Sequence, residues 1–269
     1  MNAFKHLLGA SGGHPPVGTW ISSASSLVAE AVAHAGFDWG VLDMEHSPLD
    51  MMDLVHLLQA LSGSRMVPVV RVPWNDKVTI KRVLDAGATT LLVPFVQNAE
   101  EAARAVSAAR YPPEGVRGMS STGRASRFGT VANYLRTANR DIAVIAQIET
   151  VQAVAELEAI ADVPGVDAIF LGPADLSASM GHVGQLMHPD VLDLMGEVVH
   201  RCRALGKPVG AIGATPQAVA QYRALGFDFV AVGSDLGLLI QGAQAVISSL
   251  RTPGGMHVHT LASGTETKG

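Results

Sequence analysis

The sequence AVIAQIETVQAVAELEAIADVPGVDAIFLGPAD, residues 143–175, indicates how the chain folds. It contains two short apolar runs, 143–148 and 168–171, separated by a segment with the composition and spacing of a helix. Apolar runs of this length, bounded by turn or helix signals, are typical of buried strands. A strand, a helix and a second strand in this order form a parallel βαβ unit. We therefore expect an α/β protein built on a parallel sheet.

The same strand and helix pattern occurs eight times. The predicted strands begin at Val17, Trp39, Met66, Thr90, Ala143, Ala168, Pro208 and Phe229. Eight such units in 269 residues predict a TIM (β/α)8 barrel, with residues 1–251 as one domain. An open doubly wound sheet is the alternative, but no GxGxxG motif follows the first strand. The segment 252–269 is rich in Gly and Thr and lacks periodicity, so we expect a mobile tail.

The composition of the chain narrows the classes of function. A formal net charge of -5 gives no electrostatic reason to expect nucleic acid or an acidic membrane as a partner. No apolar run approaches the roughly 20 residues that a membrane span needs, and the N-terminus lacks a secretory signal. The single cysteine, Cys202, excludes an internal disulfide and fits a reducing compartment. We expect a cytoplasmic protein.

Two of the predicted strands lead to a carboxylate. Glu149 follows the run 143–148, and Asp175 follows the run 168–171 through a Gly-Pro turn. A carboxylate beside a buried strand is costly unless a positive group is near, and this pair suits a hard cation such as Mg²⁺ or Mn²⁺. Gln147 shares a strand face with Glu149, because side chains alternate. Each acid could instead cap a helix, but the pair favours a metal enzyme.

Further polar groups are predicted at the same ends of other strands. Arg71 ends the third strand, where it could stabilise an oxyanion or a substrate carboxylate. A salt bridge to a nearby acid, such as Asp43 or Glu45, is the structural alternative. His46 follows the second strand and is the candidate general acid or base.

The GPAD turn at residues 172–175 has the features of an anion cradle. Gly172 allows a close approach to the backbone, Pro173 fixes the turn, and free N–H groups are expected near Ala174 and Asp175. None of the lysines ends a predicted strand, so a Schiff-base mechanism is disfavoured. The glycines of strands seven and eight could form a phosphate site, but Asp235 beside them would repel the ligand.

Several motifs carry a resemblance to a known family. They include AGFDWGVLDMEHSP at 35–48, PVVRVPWND at 68–76, QIET at 147–150 and GPADLSASMG at 172–181. Together, over roughly residues 17–250, they resemble the HpcH/HpaI class II pyruvate aldolases, including 4-hydroxy-2-oxoheptanedioate and 2-keto-3-deoxy sugar-acid aldolases. The resemblance implies a barrel of the phosphoenolpyruvate/pyruvate superfamily and a homohexamer with helix exchange between subunits.

The same resemblance implies roles for individual residues. Glu149 and Asp175 would bind the metal, and Arg71 would hold the keto or enolate oxygen. His46, supported by Asp43, would perform acid/base chemistry. Asp85 matches an acid that family members present at a subunit contact near the active site. The remaining expected substrate contacts and supporting residues are Gln147, Gly172, Pro173, Ala174, Ile212, Glu45 and Trp20.

The implied reaction is reversible aldol cleavage of a 4-hydroxy-2-oxo acid. The products are pyruvate, or a close 2-oxo acid such as hydroxypyruvate, and an aldehyde, formed through a metal-stabilised enolate. Mg²⁺, Mn²⁺ or Co²⁺ would be the cofactor, with no nucleotide, in the breakdown of aromatic compounds or sugar acids. A lyase acting on a CoA thioester and a barrel that binds without catalysis are the alternatives.

Overall fold

The computed structural model describes residues 2–10 and 14–251, and the predicted tail at 252–269 lies outside them. Eight parallel strands form a closed barrel in which neighbours in sequence are neighbours in space, and β8 pairs with β1. This confirms the predicted TIM barrel and rules out the open sheet. The strands are β1 Val17–Ile21, β2 Trp39–Asp43, β3 Val67–Arg71, β4 Thr90–Val93, β5 Ala143–Ile148, β6 Ala168–Leu171, β7 Val209–Gly213 and β8 Phe229–Ser234.

One helix precedes β1, and the others lie between or after the strands and cover the outside of the barrel. They are α1 Ala3–Gly9, α2 Ser26–Ala33, α3 Met51–Leu61, α4 Lys77–Asp85, α5 Ala99–Ala109, α6 Tyr134–Asp141, α7 Val151–Ala155, α8 Leu157–Ala161, α9 Pro173–Ser179, α10 Pro189–Ala204, α11 Pro216–Leu225 and α12 Asp235–Arg251. Gly36, Gly165 and Gly226 each begin a GFD or GVD sequence, have positive φ and lead from a helix towards the next strand, a common position for glycine.

The barrel interior is filled by large aromatic side chains. Trp39, Phe170 and Phe229 pack edge-on or tilted against one another, with ring centroids 5.6 to 6.4 Å apart. Phe4 of α1 adds an edge contact to Phe229 at 5.3 Å and closes the N-terminal end of the barrel. The Asn2 amide holds α1 in place by donating to Thr89 O at 2.8 Å. The interior is therefore a packed core and not a pore.

The long interruption between α5 and β5 packs at the N-terminal end of the barrel. Arg117 in this segment is almost fully buried, with its guanidinium 4.5 Å from the ring centre of Tyr111. Its Nη2 lies 2.8 Å from Asp85 Oδ1 at the end of α4, and Arg124 donates to Ala86 O. A helix that follows a strand ends opposite the strand exits, so the barrel topology predicts that the segment leaves from this end, as it does.

Helix α12 differs from the other helices because its apolar side chains have little to pack against. Asp235 is its single buried residue within the described chain. Large apolar side chains are exposed along its length, including Leu236, Leu239, Ile240, Val246, Ile247 and Leu250. No helix in the described residues is long and apolar enough to cross a membrane.

Candidate active site

A cavity of about 430 Å³ opens at the C-terminal ends of the strands. This volume is in the range of small-molecule sites. The cavity contains nearly every site residue predicted from the sequence. Its lining residues are Trp20, His46, Arg71, Gln147, Glu149, Phe170, Gly172, Pro173, Ala174, Asp175, Leu186, Ile212, Gly213, Ala214 and Gly233.

Arg71 occupies the buried side of the cavity and binds two acids from the end of β2. Its Nε and Nη2 donate to the two oxygens of Asp43 at 2.8 and 2.7 Å, a two-pronged contact that fixes the guanidinium plane. Its Nη1 lies 2.9 Å from Glu45 Oε2. Burial acts to raise the pKa of Asp43, but Arg71 outweighs it and holds that pKa below its usual range. Arg71 therefore forms the salt bridge of the structural alternative and also lines the cavity.

Glu149 is buried and lines the same cavity as Arg71. Its Oε1 accepts from Phe95 N at 2.8 Å, and its Oε2 accepts from Gln147 Nε2 at 2.6 Å, which confirms the shared strand face. Burial, helped by the charges of Asp175 and Glu45, raises its pKa to about 7 despite these hydrogen bonds. The carboxylate thus lies where a nearby cation would be favourable.

Four acids share the cavity region with a single guanidinium. We call Asp43, Glu45, Glu149 and Asp175 the carboxylate cluster. Burial raises the pKa of Glu45 to about 6, against the opposing effect of Arg71 and with support from the charges of Asp43 and Asp175. Because Arg71 is bound to Asp43 and Glu45, Glu149 and Asp175 lack an equivalent positive partner among the described residues.

The donor set of the cavity fits a hard divalent cation. Glu149 and Asp175 supply carboxylate oxygens, and such ions prefer oxygen ligands. The buried Gln147 Oε1 has no hydrogen-bond partner in the described chain, which leaves a further oxygen free for a ligand or a bound water. A cation between the two acids would also relieve the repulsion that raises the pKa of Glu149.

The turn from β6 into α9 is built around Gly172. A Cβ at this position would overlap Glu149 Oε2, so any residue larger than glycine would displace that carboxylate. Gly172 N donates to Ile148 O at 3.2 Å, so this N–H group is not free to bind an anion. The first hydrogen bond of α9 runs from Leu176 N to Gly172 O. The N–H groups of Ala174 and Asp175 therefore remain as the candidate donors.

His46 lies at the mouth of the cavity, with 63% of its side chain exposed. Its Nε2 is 3.8 Å from Glu45 Oε2, so Glu45 is the acid that faces the ring. Asp43 instead accepts from the backbone N–H of His46 at 3.4 Å. No hydrogen bond joins Asp43 to the imidazole in the described residues. The expected support of His46 by Asp43 therefore acts through the backbone.

Asp85 does not line this cavity. It lies at the C-terminal end of α4 in an ion pair with Arg117, and the loop after it leads into the opposite end of the barrel. Its expected role at a subunit contact would require the active site of another copy. Within one chain, Asp85 and His46 are not brought together.

Some cavity residues were not predicted from the sequence. Leu186 reaches the cavity from the loop between α9 and α10, and no local pattern indicates where that loop lies. Phe95 orients Glu149 through its N–H and has a φ of 51°, which is unusual for a residue with a side chain. Phe170 precedes Gly172 by two positions, so strand alternation could have placed it inside the barrel.

Comparison with known proteins gives a consistent result over most of the chain. A family model described as HpcH/HpaI aldolase/citrate lyase matches residues 17–242. A Pseudomonas putida 2-dehydro-3,6-dideoxy-6-sulfogluconate aldolase is 49% identical, covering 88% of this chain and 92% of that protein. A Rhizobium etli pyruvate aldolase is 48% identical, covering 94% and 98%. The crystal structure of a Burkholderia cenocepacia HpcH/HpaI aldolase/citrate lyase family protein is 41% identical, with a TM-score of 0.90, covering 94% and 100%.

Proposed function

Because the chain belongs to the HpcH/HpaI aldolase/citrate lyase family and is an aldolase, we propose that it cleaves 4-hydroxy-2-oxo acids to pyruvate and an aldehyde with a divalent metal ion. Cleavage would be reversible. The observation that carries this proposal is the carboxylate cluster around Arg71, in a cavity at the C-terminal end of the barrel. Catalytic groups of TIM barrels are found at this end.

The metal would be held by Glu149 and Asp175. When bound, a divalent ion supplies positive charge at the carboxylate and keto oxygens of the 2-oxo acid and so favours the enolate. Arg71 adds a second positive group. Two of its five N–H groups donate to Asp43, and Nη1 lies 2.9 Å from Glu45 Oε2 without a hydrogen bond, so three N–H groups remain for a substrate oxygen.

Proton transfer is assigned to His46. As the bond between C3 and C4 breaks, its electron pair enters the enolate of pyruvate, and C4 becomes the carbonyl carbon of the aldehyde. His46 accepts the proton of the 4-hydroxyl group, and protonation of the enolate at C3 gives pyruvate. The exposed position of His46 at the cavity mouth allows it to exchange this proton with water.

We propose a sugar-acid substrate as the first to test. One of the relatives is named for a sulfogluconate derivative, and the other for pyruvate. The cavity wall combines apolar side chains, including Leu186 and Ile212, with the polar groups around Arg71. Hydroxyl groups on the aldehyde portion would distinguish sugar-derived substrates from simple aldehydes, and comparison of the two substrate classes would show which one the cavity favours.

The test is pyruvate release from 4-hydroxy-2-oxo acids, with EDTA and then with Mg²⁺, Mn²⁺ or Co²⁺ added back. We expect release to stop with EDTA and to return with metal. Glu149→Gln should remain inactive after metal is added. Glu158→Gln, which changes an acid on the outside of the barrel, should behave like the wild type.

Two results would contradict the proposal. Release that is insensitive to EDTA would remove the metal role of Glu149 and Asp175 and leave an aldolase of another mechanism. The absence of release from both substrate classes with every metal would remove the proposed substrate class.

We also propose that the chain forms a homo-oligomer through α12, with a hexamer as the expected assembly. The exposed apolar side chains of α12 form a surface that a second copy of the chain could cover. Asp235 anchors the start of this helix by accepting from Ser22 N at 2.9 Å and Ser23 N at 3.1 Å. A helix fixed at one end and apolar along its length fits exchange between subunits.

Sedimentation of the full chain tests the assembly. Leu239→Glu should shift the protein to smaller species, because a charge on the apolar surface disfavours its burial. Gln244→Glu adds the same charge at a polar position of α12 and should have a smaller effect. A wild-type protein that sediments as a monomer at micromolar concentration would overturn the proposed assembly without affecting the proposed reaction.

A further inference from the structure

Three potential metal ligands lie close together on the loop between α9 and α10. His182 Nε2 is 3.2 Å from Asp190 Oδ2, and His188 Nδ1 is 3.7 Å from the same oxygen. The two imidazole rings are stacked, with centroids 3.7 Å apart and planes 16° from parallel. These residues are separate from the carboxylate cluster, and the proposed reaction assigns them no role.

The backbone of the loop holds these side chains near one another. His182 N donates to Ser177 O, Gln185 N to His182 O, and His188 N to Gln185 O, at 2.8 to 2.9 Å. These successive turns bring His182 next to His188. His188 also caps α10, because its Nδ1 accepts from Asp190 N at 3.3 Å. The grouping is therefore a product of the local fold and not of flexible side chains alone.

The distances are compatible with a metal site. For metal–ligand bonds of about 2.0 to 2.1 Å in a tetrahedral arrangement, neighbouring ligand atoms are roughly 3.3 Å apart. The observed distances of 3.2 and 3.7 Å from Asp190 are close to this value, and all three ligand atoms lie within 4.8 Å of one another. Two imidazoles and one carboxylate form a ligand set that Zn²⁺ uses, with water at the open position.

An ion pair explains the grouping less completely. A protonated His182 would form a favourable pair with Asp190, but protonation of His188 as well would place two cations in stacked rings. A metal ion satisfies both neutral imidazoles and the carboxylate together. The rings must turn away from their stacked orientation so that their lone pairs converge on the ion. The long cap hydrogen bond of His188 offers little resistance to that movement.

We propose that His182, His188 and Asp190 form a second metal site, selective for a borderline transition-metal ion such as Zn²⁺. The nitrogen ligands distinguish it from the all-oxygen set of Glu149 and Asp175, which suits Mg²⁺. A metal at this site connects the start of α10 to the loop that carries Leu186 into the cavity. It would thus fix one wall of the cavity without contacting the reacting atoms.

Equilibrium dialysis of the full-length, EDTA-treated protein against Zn²⁺ in a large excess of Mg²⁺ tests the site. His182→Gln and His188→Asn each remove one nitrogen ligand, and Asn retains the ability to cap α10. His200→Gln changes an exposed histidine of α10 and serves as the matched control. The carboxylate cluster and the tail histidines, His257 and His259, are the same in every protein compared.

We expect the wild type and His200→Gln to bind about one Zn²⁺ per chain more than either loop variant, with Mg²⁺ binding unchanged. Zn²⁺ should raise the melting temperature of the wild type more than that of the loop variants. Equal Zn²⁺ binding in all four proteins would overturn the proposal, as would an equal loss in His200→Gln. If a histidine variant fails to fold, Asp190→Asn provides the same comparison at an exposed position. Failure of this site would leave the proposed aldolase reaction intact, because that reaction is measured with Mg²⁺, Mn²⁺ or Co²⁺.

Discussion

Arg71 combines a structural and a chemical role at a single position. Arg71→Lys would keep the charge but lose the planar guanidinium that binds both oxygens of Asp43 and faces Glu45. We expect kcat/KM for cleavage of the 2-oxo acid to fall by roughly 10² to 10³-fold. Steady-state pyruvate release measures the change, and Arg104→Lys in the exposed ion pairs of α5 is the control. A variant whose kcat/KM lies within about threefold of the wild type would show that the planar guanidinium is not needed.

Glu149 gives a pH dependence to the stability of the metal-free protein. Its pKa is raised to about 7 from an ordinary value of 4.5, so the folded state binds the proton more tightly than the unfolded state. The stabilising contribution is present at low pH and is lost as the pH rises through about 7. We expect the free energy of unfolding of the wild type to fall by roughly 1–3 kcal/mol relative to Glu149→Gln between about pH 5 and pH 8.

Urea unfolding in EDTA at a series of pH values measures this difference. Glu45 is present in both proteins, so its own raised pKa cancels to a first approximation. A constant difference between the two proteins across this range would show that burial of Glu149 carries no ionisation cost. Glu149→Gln should also be inactive with metal. The Glu149 carboxylate would then be required for catalysis but not for stability.

The sequence predicted individual site residues when they lie at strand ends. Glu149, Arg71 and His46 follow apolar runs, and the barrel fixes where such residues point. The contacts among them were less predictable, because Asp43 binds the Arg71 guanidinium and the His46 backbone but not the imidazole. Leu186 could not be predicted, because its position depends on the path of a loop.

At the scale of elements, the turn between β6 and α9 depends on close packing at Gly172. Its φ of -92° is accessible to any residue, so the expected effect of Gly172→Ala comes from the contact with Glu149 alone. We expect kcat/KM to fall by about 10²-fold, because displacement of Glu149 by even 1 Å disturbs the site. Kinetics and urea unfolding measure activity and stability, and Gly63→Ala, where a Cβ meets no neighbour within 4 Å, is the control. Unchanged kinetics would show that the turn can move aside.

The eight strands were predictable because each combines a short apolar run with turn signals, and the structure confirms all eight. Their starts differ by at most one residue, as at Met66 and Pro208, where the observed strands begin at Val67 and Val209. The direction of the 111–139 interruption followed from the barrel topology. The burial of Arg117 within it did not, because a sequence shows an arginine without showing the Asp85 and Tyr111 that surround it.

At the scale of the whole molecule, Cys202 reports on unfolding. Its thiol is fully buried, and burial raises its pKa to about 12. We expect no reaction with a thiol reagent at neutral pH in the folded protein and complete reaction in denaturant, because both access and the thiolate are missing from the native state. Absorbance of the released thiolate measures the rate. Rapid labelling without denaturant would contradict the burial of this side chain.

The contact between Trp20 and Arg71 gives the cavity an optical property. Trp20 lines the cavity with the Arg71 guanidinium 5.6 Å from its ring centre, whereas Trp39 is enclosed in the barrel interior and Trp74 is largely exposed. A ligand that draws the guanidinium towards its own oxygens changes the charge beside the Trp20 indole, and indole emission responds to such changes. Trp74→Phe would remove the fluorescence of the solvent-exposed tryptophan. The protein therefore contains its own fluorophore at the site, and ligand binding can be followed by tryptophan fluorescence, without turnover.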